Sequence, residues 1–197
     1  KQEITEEKWV MEKVKKVLLV VFVMMFFIGI ILVTDFGKMQ KYKNNEVTDL
    51  ANLGYRQMQT GDLVTGKVDY VLDTVAEEYE TKFGIRTSDD STKLYYIISL
   101  PNSYAVYETS NKEEYDTLDK ICNETWDYLN SEDGSAPAPT SNLMIQGEVK
   151  KMDDKVAGYF KDWFKEQADF SDEDFEKNTE VYMICLLYTS PSPRDRG

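Results

Sequence analysis

Acidic side chains carry most of the chemistry that this sequence could perform. Three groups lie close enough in sequence to act together, as an acid and base couple in hydrolysis or as oxygen ligands for a divalent cation: Glu77, Glu78 and Glu80 for the couple, and the pairs Asp89, Asp90 and Glu132, Asp133 for the cation. Because residues 44–184 contain 30 Asp and Glu, such groupings also arise by chance. We therefore expect ordinary solvated acids at these positions.

A calcium loop is a further hypothesis for the twelve residues from Asp169 to Glu180, which have Asp at the first position and Glu at the twelfth. The pattern fails inside the segment, since Asp174 stands where the sharp turn needs glycine. Glu176 stands where an apolar residue belongs. We predict no calcium site there.

Histidine is absent from the whole chain, which removes the usual general base near neutral pH and the commonest zinc ligand. The two cysteines, Cys122 and Cys185, do not by themselves imply a disulfide. The sequence thus assigns no catalytic, cofactor-binding or metal-ligating residue, and it predicts neither an enzyme nor a cofactor.

Net charge excludes one further class of partner. Residues 44–184 carry 30 acids against 13 Lys and Arg, a formal charge of −17. Such a field repels phosphate backbones. The nearest basic cluster, Lys150, Lys151 and Lys155, lies beside Asp153 and Asp154, so we predict no nucleic-acid function.

A membrane anchor is predicted from Val17 to Val33, where 14 of 17 uncharged residues are Val, Leu, Ile or Phe. At about −0.3 to −0.6 kcal/mol each, these residues favour insertion by roughly 4 to 8 kcal/mol. The run would cover about 26 Å as a helix. We assign residues 17–34 to a single-pass transmembrane helix. The run is longer than that of a cleaved signal peptide and lacks a small-residue cleavage site, so an uncleaved signal anchor is expected.

Basic residues flank the predicted anchor closely on both sides: Lys13, Lys15 and Lys16 before it, and Lys38, Lys41 and Lys43 after it. The short basic flank, residues 1–16, favours a cytoplasmic amino terminus and an extracytoplasmic acidic domain. Met11 followed by a basic stretch also resembles a translation start. A start at Met11 would leave residues 1–10 untranslated.

Periodicity predicts the elements that follow. The amino-terminal part reads as a helix at residues 46–58, a strand at 63–72 with a bend or bulge at Gly66, and a strand at 75–83. A polar turn at 87–92 then precedes a hairpin of residues 94–100 and 104–108. The rest reads as a helix with a Ser110 and Glu113 capping box, a loop at 130–142, a strand at 143–152, a helix capped by Asp153 and a strand at 179–184. The second helix has the buried stripe Val156, Tyr159, Phe160, Trp163 and Phe164.

This order belongs to the α+β class. A helix between the third and fourth strands suits a small OB-like β-barrel or sheet with two packed amphipathic helices, and Gly66 and Gly147 suit its bends. We therefore predict one soluble acidic α+β domain over residues 45–184.

Residues 185–197 are interpreted as an artefactual or disordered tail, because residues 185–195 resemble a translated sequencing adapter. The stretch Gly61 to Leu72, the run Ala76 to Tyr79, and the strands around Tyr95 and Gly147 resemble an uncharacterised family of small bacterial membrane proteins, domain of unknown function 6709. That resemblance implies a bacterial source and a membrane anchor. It implies no catalytic residues.

The function expected from the sequence is a membrane-anchored extracytoplasmic interaction module, held in the bilayer through Val17 to Val33, with a protein or envelope component as its partner. Two alternatives stay open. One is a carboxylate-dependent hydrolase of cell-envelope polymers, and the other is an accessory subunit of a membrane complex.

Overall fold

A computed structural model describes residues 18–26, 29, 40, 47–82, 85–131 and 135–187 of the chain. The chain divides into two compact units, Lys1–Glu46 and Val47–Gly197. The boundary falls two residues after the start of the predicted domain over residues 45–184.

In the first unit, residues 18–26 are helical and their large apolar side chains are exposed. None of the helices that the structure describes is long and apolar enough to span a bilayer. The structure therefore gives no support to the transmembrane helix predicted from Val17 to Val33. Residues 17, 27, 28 and 30–33 of that prediction lie outside the described residues.

The second unit mixes strands and helices, which confirms the α+β class. Its strands are β1 (Thr48–Asp49), β2 (Leu63–Val68), β3 (Val71–Lys82), β4 (Ile85–Ser99), β5 (Tyr104–Thr109), β6 (Leu143–Lys151) and β7 (Thr179–Leu186). Its helices are a 3-10 helix (Leu50–Asn52), α1 (Lys112–Leu129), α2 (Asp154–Gln167) and α3 (Asp172–Asn178).

The seven described strands form one sheet in the order β1-β2-β6-β7-β5-β4-β3. The pairs β1–β2 and β5–β7 are parallel, and the other neighbours are antiparallel. The predicted hairpin is confirmed as β4–β5. The predicted last strand is confirmed as β7, whose final residues Cys185 and Leu186 pair with Glu148 and Gly147. The predicted start of the tail, residue 185, thus falls within β7.

A sharp corner joins β2 to β3. One strand was predicted from Leu63 to Leu72, but the strand breaks at Asp69 and Tyr70, and its two halves lie near opposite ends of the strand order. Val68 and Val71 are three residues apart, so they lie within about 11 Å of each other. The sheet must therefore curl until its two ends approach. At the corner, the Ser99 amide donates to the Tyr70 carbonyl over 3.1 Å.

Helices cover both faces of the sheet. On one face, Leu118 and Ile121 of α1 pack in a cluster with Tyr96 and Tyr107. On the other, Phe160 and Phe164 of α2 pack with Tyr95 and Val106 in a second cluster. The alternation of Tyr95 and Tyr96 between clusters is the two-residue period of a strand buried on both sides.

Both helices are also tied to the same point of β3, where the register to β4 shifts between Val71 and Asp73. The Trp126 indole of α1 donates to the Leu72 carbonyl, and the Trp163 indole of α2 donates to the Asp73 carboxylate, each over 2.7 Å. The irregularity in β3 thus leaves the Leu72 carbonyl to accept from α1, while the Asp73 side chain accepts from α2.

Side-chain caps begin the helices. The predicted Asp153 cap of α2 is confirmed, since its carboxylate accepts from the amides of Lys155 and Val156. The capping box predicted at Ser110 and Glu113 is wrong, because α1 begins one residue later and Asn111 is the cap. Asn111 accepts from the Glu113 amide.

The helix predicted over residues 46–58 is wrong. The described chain forms two residues of β1 and then the short 3-10 helix, where the Asp49 carboxylate accepts from the Ala51 amide over 2.9 Å. Arg56 then adopts a left-handed backbone with φ 54°, which no helix continues. The helix was predicted from the spacing of Val47, Leu50, Leu53 and Met58, of which only Leu50 and Met58 are buried.

The bulge predicted as an alternative at Gly66 is wrong, since the pairing of β2 with β6 runs without a register shift past Gly66 and Gly147. Both glycines instead permit close approach. A Cβ at Gly66 would lie 2.6 Å from the Leu50 Cβ, and one at Gly147 would lie 2.8 Å from the Cys185 carbonyl oxygen.

Candidate functional site

A concavity of the second unit lies beside the corner between β2 and β3, and we call it the seam groove. It comprises residues 49–51, 65–67, 69, 70, 99–101 and 144 and has a volume of about 660 Å³. The short 3-10 helix, β2, the β2–β3 corner and the β4–β5 turn each supply one wall.

One wall of the seam groove is an open strand edge. β1 pairs only with Val64 and Thr65 of β2, so in the described part of the chain no strand lies beside residues 66–68 on that side. Beyond Asp49 the chain turns into the 3-10 helix, and Leu50, 2 % exposed, packs onto Gly66. The groove therefore lies beside β2 directly after the two residues that pair with β1.

Two carboxylates line the seam groove, Asp49 and Asp69. Asp49 caps the 3-10 helix through the Ala51 amide. Asp69 forms an ion pair with Lys67 over 2.8 Å, and both side chains are about half exposed. Each carboxylate thus already has a structural partner.

A buried carboxyl group fixes the segment that follows the 3-10 helix. Glu180 of β7 is only 3 % exposed, and its Oε1 accepts from the Arg56 amide over 3.0 Å and the Ser103 hydroxyl over 2.8 Å. Its Oε2 has no hydrogen-bond partner among the described residues. We call Glu180, Arg56 and Ser103 the latch.

The latch is reinforced from α3. The Tyr55 hydroxyl and the Arg56 guanidinium both donate to the Glu176 carbonyl oxygen near the end of that helix. On the other side, the Asn102 amide lies 3.5 Å from the Leu53 carbonyl oxygen. These contacts hold Arg56 in its left-handed conformation. Sequence reasoning missed the latch, and the only signal for it was an acid at the start of a strand whose other positions are mostly apolar.

Three buried tyrosines each donate to one acid at the edge of the core. The pairs are Tyr95 with Glu78, Tyr96 with Asp119, and Tyr107 with Glu114, with oxygen–oxygen distances of 2.6, 2.9 and 2.8 Å. Burial first, and the paired acids second, raise the pKa of each hydroxyl. These tyrosines stay protonated at neutral pH and act as donors that fasten the sheet to its surroundings.

The acid couple considered for Glu77, Glu78 and Glu80 is not assembled. Glu77 and Glu78 are neighbours on β3 and face opposite sides of the sheet, with Glu77 bonded to the Tyr79 hydroxyl and Glu78 to the Tyr95 hydroxyl. Glu80 is exposed. The arrangement gives none of them a shared substrate position.

The acidic groups considered as cation ligands do not form a cation site among the described residues. Asp89 and Asp90 lie within β4, so the polar turn predicted at residues 87–92 is wrong. Glu132 and Asp133 lie outside the described residues. α3 occupies the middle of the Asp169 to Glu180 segment and begins with a capping box of Ser171 and Asp174. Within the described ranges, no three His, Cys, Asp or Glu side chains are placed to hold a metal ion.

Both cysteines are free. Burial raises the pKa of the Cys122 thiol to about 11, and its sulfur lies 3.4 Å from the Leu72 carbonyl oxygen. Burial raises the pKa of the Cys185 thiol to about 12, and the Glu108 carboxylate adds to the rise. Neither thiol is poised to be a nucleophile at neutral pH.

Fold and site together define an acidic α+β module with a groove beside the end of β2. A family model described as Domain of unknown function (DUF8577) matches residues 7–189, and the chain belongs to this family. The resemblance to domain of unknown function 6709 is therefore wrong, and the bacterial source and membrane anchor that it implied lose that support. No curated protein and no solved structure matches the chain.

Proposed function

We propose that this chain is a membrane-tethered interaction module without enzymatic activity, which presents its acidic second unit on the extracytoplasmic side. The observation that carries the proposal is the seam groove, a concavity of about 660 Å³ with mixed apolar and polar walls. Grooves of this kind hold a partner's side chains and fix their orientation through a few polar groups.

The occupied carboxylates favour binding over hydrolysis. A carboxylate-dependent hydrolase needs one acid to donate a proton and a second to act as base or nucleophile across the same substrate. In the seam groove, Asp49 serves the 3-10 helix and Asp69 serves Lys67. Both carboxylates thus already serve the fold.

The tether in this proposal is the apolar run from Val17 to Val33, with the bilayer as its partner. Its support is compositional, since the insertion free energy of its 14 Val, Leu, Ile and Phe residues is about −4 to −8 kcal/mol. To test the side on which the second unit lies, Asp116→Cys places a thiol on an exposed position of α1. We expect an impermeant maleimide to label it in intact cells beyond the wild-type background. Labelling only after lysis would overturn the topology.

The proposal extends to an OB-like barrel as the scaffold. Counted with β2 and β3 as one bent strand, the order of barrel strands along the chain is β2/β3, β4, β5, β6 and β7, with α1 between the third and fourth. Support comes from the two-residue corner at Asp69 and Tyr70 and from the parallel pairing of β5 with β7. Such a scaffold carries no function by itself, so the groove remains the functional argument.

Site-specific photo-crosslinking in native membranes tests the interaction. A photoreactive phenylalanine analogue replaces Met144, which lines the groove and is 63 % exposed, or Val181, a control on β7 that is 52 % exposed and lies outside the groove. We expect the Met144 position to yield a discrete partner adduct that is absent at Val181. Equal adducts at both positions, or none at either, would refute the groove as the binding surface.

A further inference from the structure

We infer that residues 136–140, Ala-Pro-Ala-Pro-Thr, form a rigid polyproline II segment that a partner protein binds in a groove lined by aromatic side chains. We call these residues the proline segment. They lie in the loop between α1 and β6, and none of them lines the seam groove. The inference therefore goes beyond the proposed function and does not depend on it.

Two prolines restrict the backbone of the proline segment. Each proline ring fixes its own φ near about −65°, and the residue before a proline is pushed from the helical to the extended region. The peptide bonds before Pro137 and Pro139 are trans, and residues 137–142 belong to no helix, strand or turn. An extended chain with such dihedral angles is a polyproline II helix.

The exposure of the proline segment follows the period of that helix. Polyproline II has three residues per turn, so residues three apart lie on the same side. Ala136 and Pro139 are half-buried, whereas Pro137, Ala138 and Thr140 are exposed. The next four residues alternate between half-buried and exposed, which is the period of a strand. One side of the segment therefore packs on the second unit, and the other presents a proline ring to solvent.

Hydrogen bonds hold both ends of the proline segment. The Ala136 amide donates to the Ser131 hydroxyl over 3.1 Å. The Glu124 carboxylate of α1 accepts from the Thr140 amide over 2.8 Å, and from the amide and hydroxyl of Ser141 over 2.9 and 2.8 Å. The segment is thus fixed in its extended form before a partner arrives, which lowers the conformational entropy lost on binding.

The partner that fits this surface is a protein with an aromatic groove. Such grooves recognise exposed polyproline II segments, because the preformed helix is ordered at little cost in entropy. The exposed side of the segment carries no charged side chain, so recognition rests on the proline ring and the fixed backbone. Beside it, α1 and the loop line a concavity of about 220 Å³, formed by residues 124, 127, 136–138 and 140. This concavity gives the partner a place for a side chain next to the exposed ring.

Photo-crosslinking in permeabilised native membranes tests the inference with the segment left intact. A photoreactive phenylalanine analogue replaces Asp127, which is exposed on α1 and lines the concavity. The matched control replaces Asp116, which is also exposed on α1 and lies about three turns earlier on the same side, roughly 16 Å away. We expect a protein adduct at position 127 that is absent at position 116. No adduct at position 127, or equal adducts at both positions, would overturn the inference.

Peptide competition identifies the conformation that the partner reads. A decapeptide of five Ala-Pro repeats, added at about 1 mM, should lower the yield of the position 127 adduct at least about twofold, because it presents the same backbone. A decapeptide of five Ala-Gly repeats should leave the yield unchanged. If the two peptides act equally, or neither acts, the partner does not read polyproline II and the inference is wrong.

Replacing both prolines by glycine removes the exposed ring and the restriction on the backbone. Pro137→Gly combined with Pro139→Gly should lower the adduct yield at least about fourfold, while a thermal melt shows that the second unit stays folded. An undiminished yield would contradict the inference. The peptide competition uses the unaltered segment, so it decides the question even where the double variant unfolds.

This inference and the proposed function fail separately. If an adduct forms at Met144 but none forms at position 127, only the proline segment loses its partner. If an adduct forms at position 127 and is displaced by the Ala-Pro peptide, while Met144 yields none, the segment is a binding surface and the seam groove is not.

Discussion

Replacing Glu180 by alanine is the sharpest test of how the second unit is held together. The carboxyl group accepts the Arg56 amide and the Ser103 hydroxyl through one oxygen, while its second oxygen has no partner in the described structure. Alanine removes both bonds and leaves two donors at a site where the side chain was 3 % exposed.

The magnitude follows from those two donors. Leaving one buried donor unsatisfied costs about 1 to 3 kcal/mol, so the loss of both bonds in Glu180→Ala should lower the free energy of unfolding by about 2 to 6 kcal/mol. Glu180→Gln behaves differently, because its amide oxygen can still accept both bonds. Its nitrogen replaces the oxygen that had no partner. We expect the glutamine variant to lie within about 1 kcal/mol of wild type.

The assay is denaturant unfolding of the full chain in a non-ionic detergent, followed by fluorescence of Trp126 and Trp163, which both contact β3. Glu176→Ala serves as the control, since its side chain is exposed and only its backbone carbonyl joins the latch; it should change stability by less than about 0.5 kcal/mol. If glutamine at position 180 destabilises as much as alanine, or alanine changes nothing, the latch as described is wrong.

Three further perturbations test other parts of the fold. Gly147→Ala should cost about 1 to 3 kcal/mol in a thermal melt, since its Cβ would stand 2.8 Å from the Cys185 carbonyl oxygen; no change would contradict the close approach. Trp163→Phe removes the bond to Asp73 and should cost about 1 to 2 kcal/mol by denaturant unfolding. Hydrogen bonds from Ser141, with a smaller contribution from Thr140, lower the pKa of Glu124 from 4.5 to about 2. The ionised carboxylate therefore stabilises the fold at pH values above its ordinary pKa. That contribution is lost as the pH falls from about 4.5 to 2. In acid titrations followed by circular dichroism, Glu124→Gln should flatten the wild-type fall in stability over this window.

Much of the second unit was predictable because its elements carry strong local patterns. The hairpin of β4 and β5, the strand β6 and the helix capped by Asp153 all follow from hydrophobic period, turn residues and caps. β3 was predicted as a strand at residues 75–83, although Glu77, Glu78 and Glu80 favour helix. The structure shows why strand prevails, since β3 lies beside β4 and anchors both helices.

The predictions failed where distant contacts decide the local conformation. The spacing of Leu50 and Met58 imitates a helix, yet the chain between them is shaped by Glu180, more than 120 residues away. Tyr159 was placed in the buried stripe of α2 but is 44 % exposed, whereas Phe160 and Phe164 are buried as predicted. Nothing in the local sequence marks which partner covers a given side of a helix.

The segment from Leu50 to Met58 connects the groove to the latch. The shape of the groove therefore depends on the contacts of the latch. At its start, Leu50 packs onto Gly66 and forms a wall of the groove. At its centre, Arg56 is held by Glu180, and at its end, Met58 is 2 % exposed. So short a stretch has almost no regular hydrogen bonding of its own, so its shape depends on these anchors. A segment held by a few specific contacts can keep the edge of β2 uncovered, whereas a longer regular strand in the same place would pair with that edge and fill the groove.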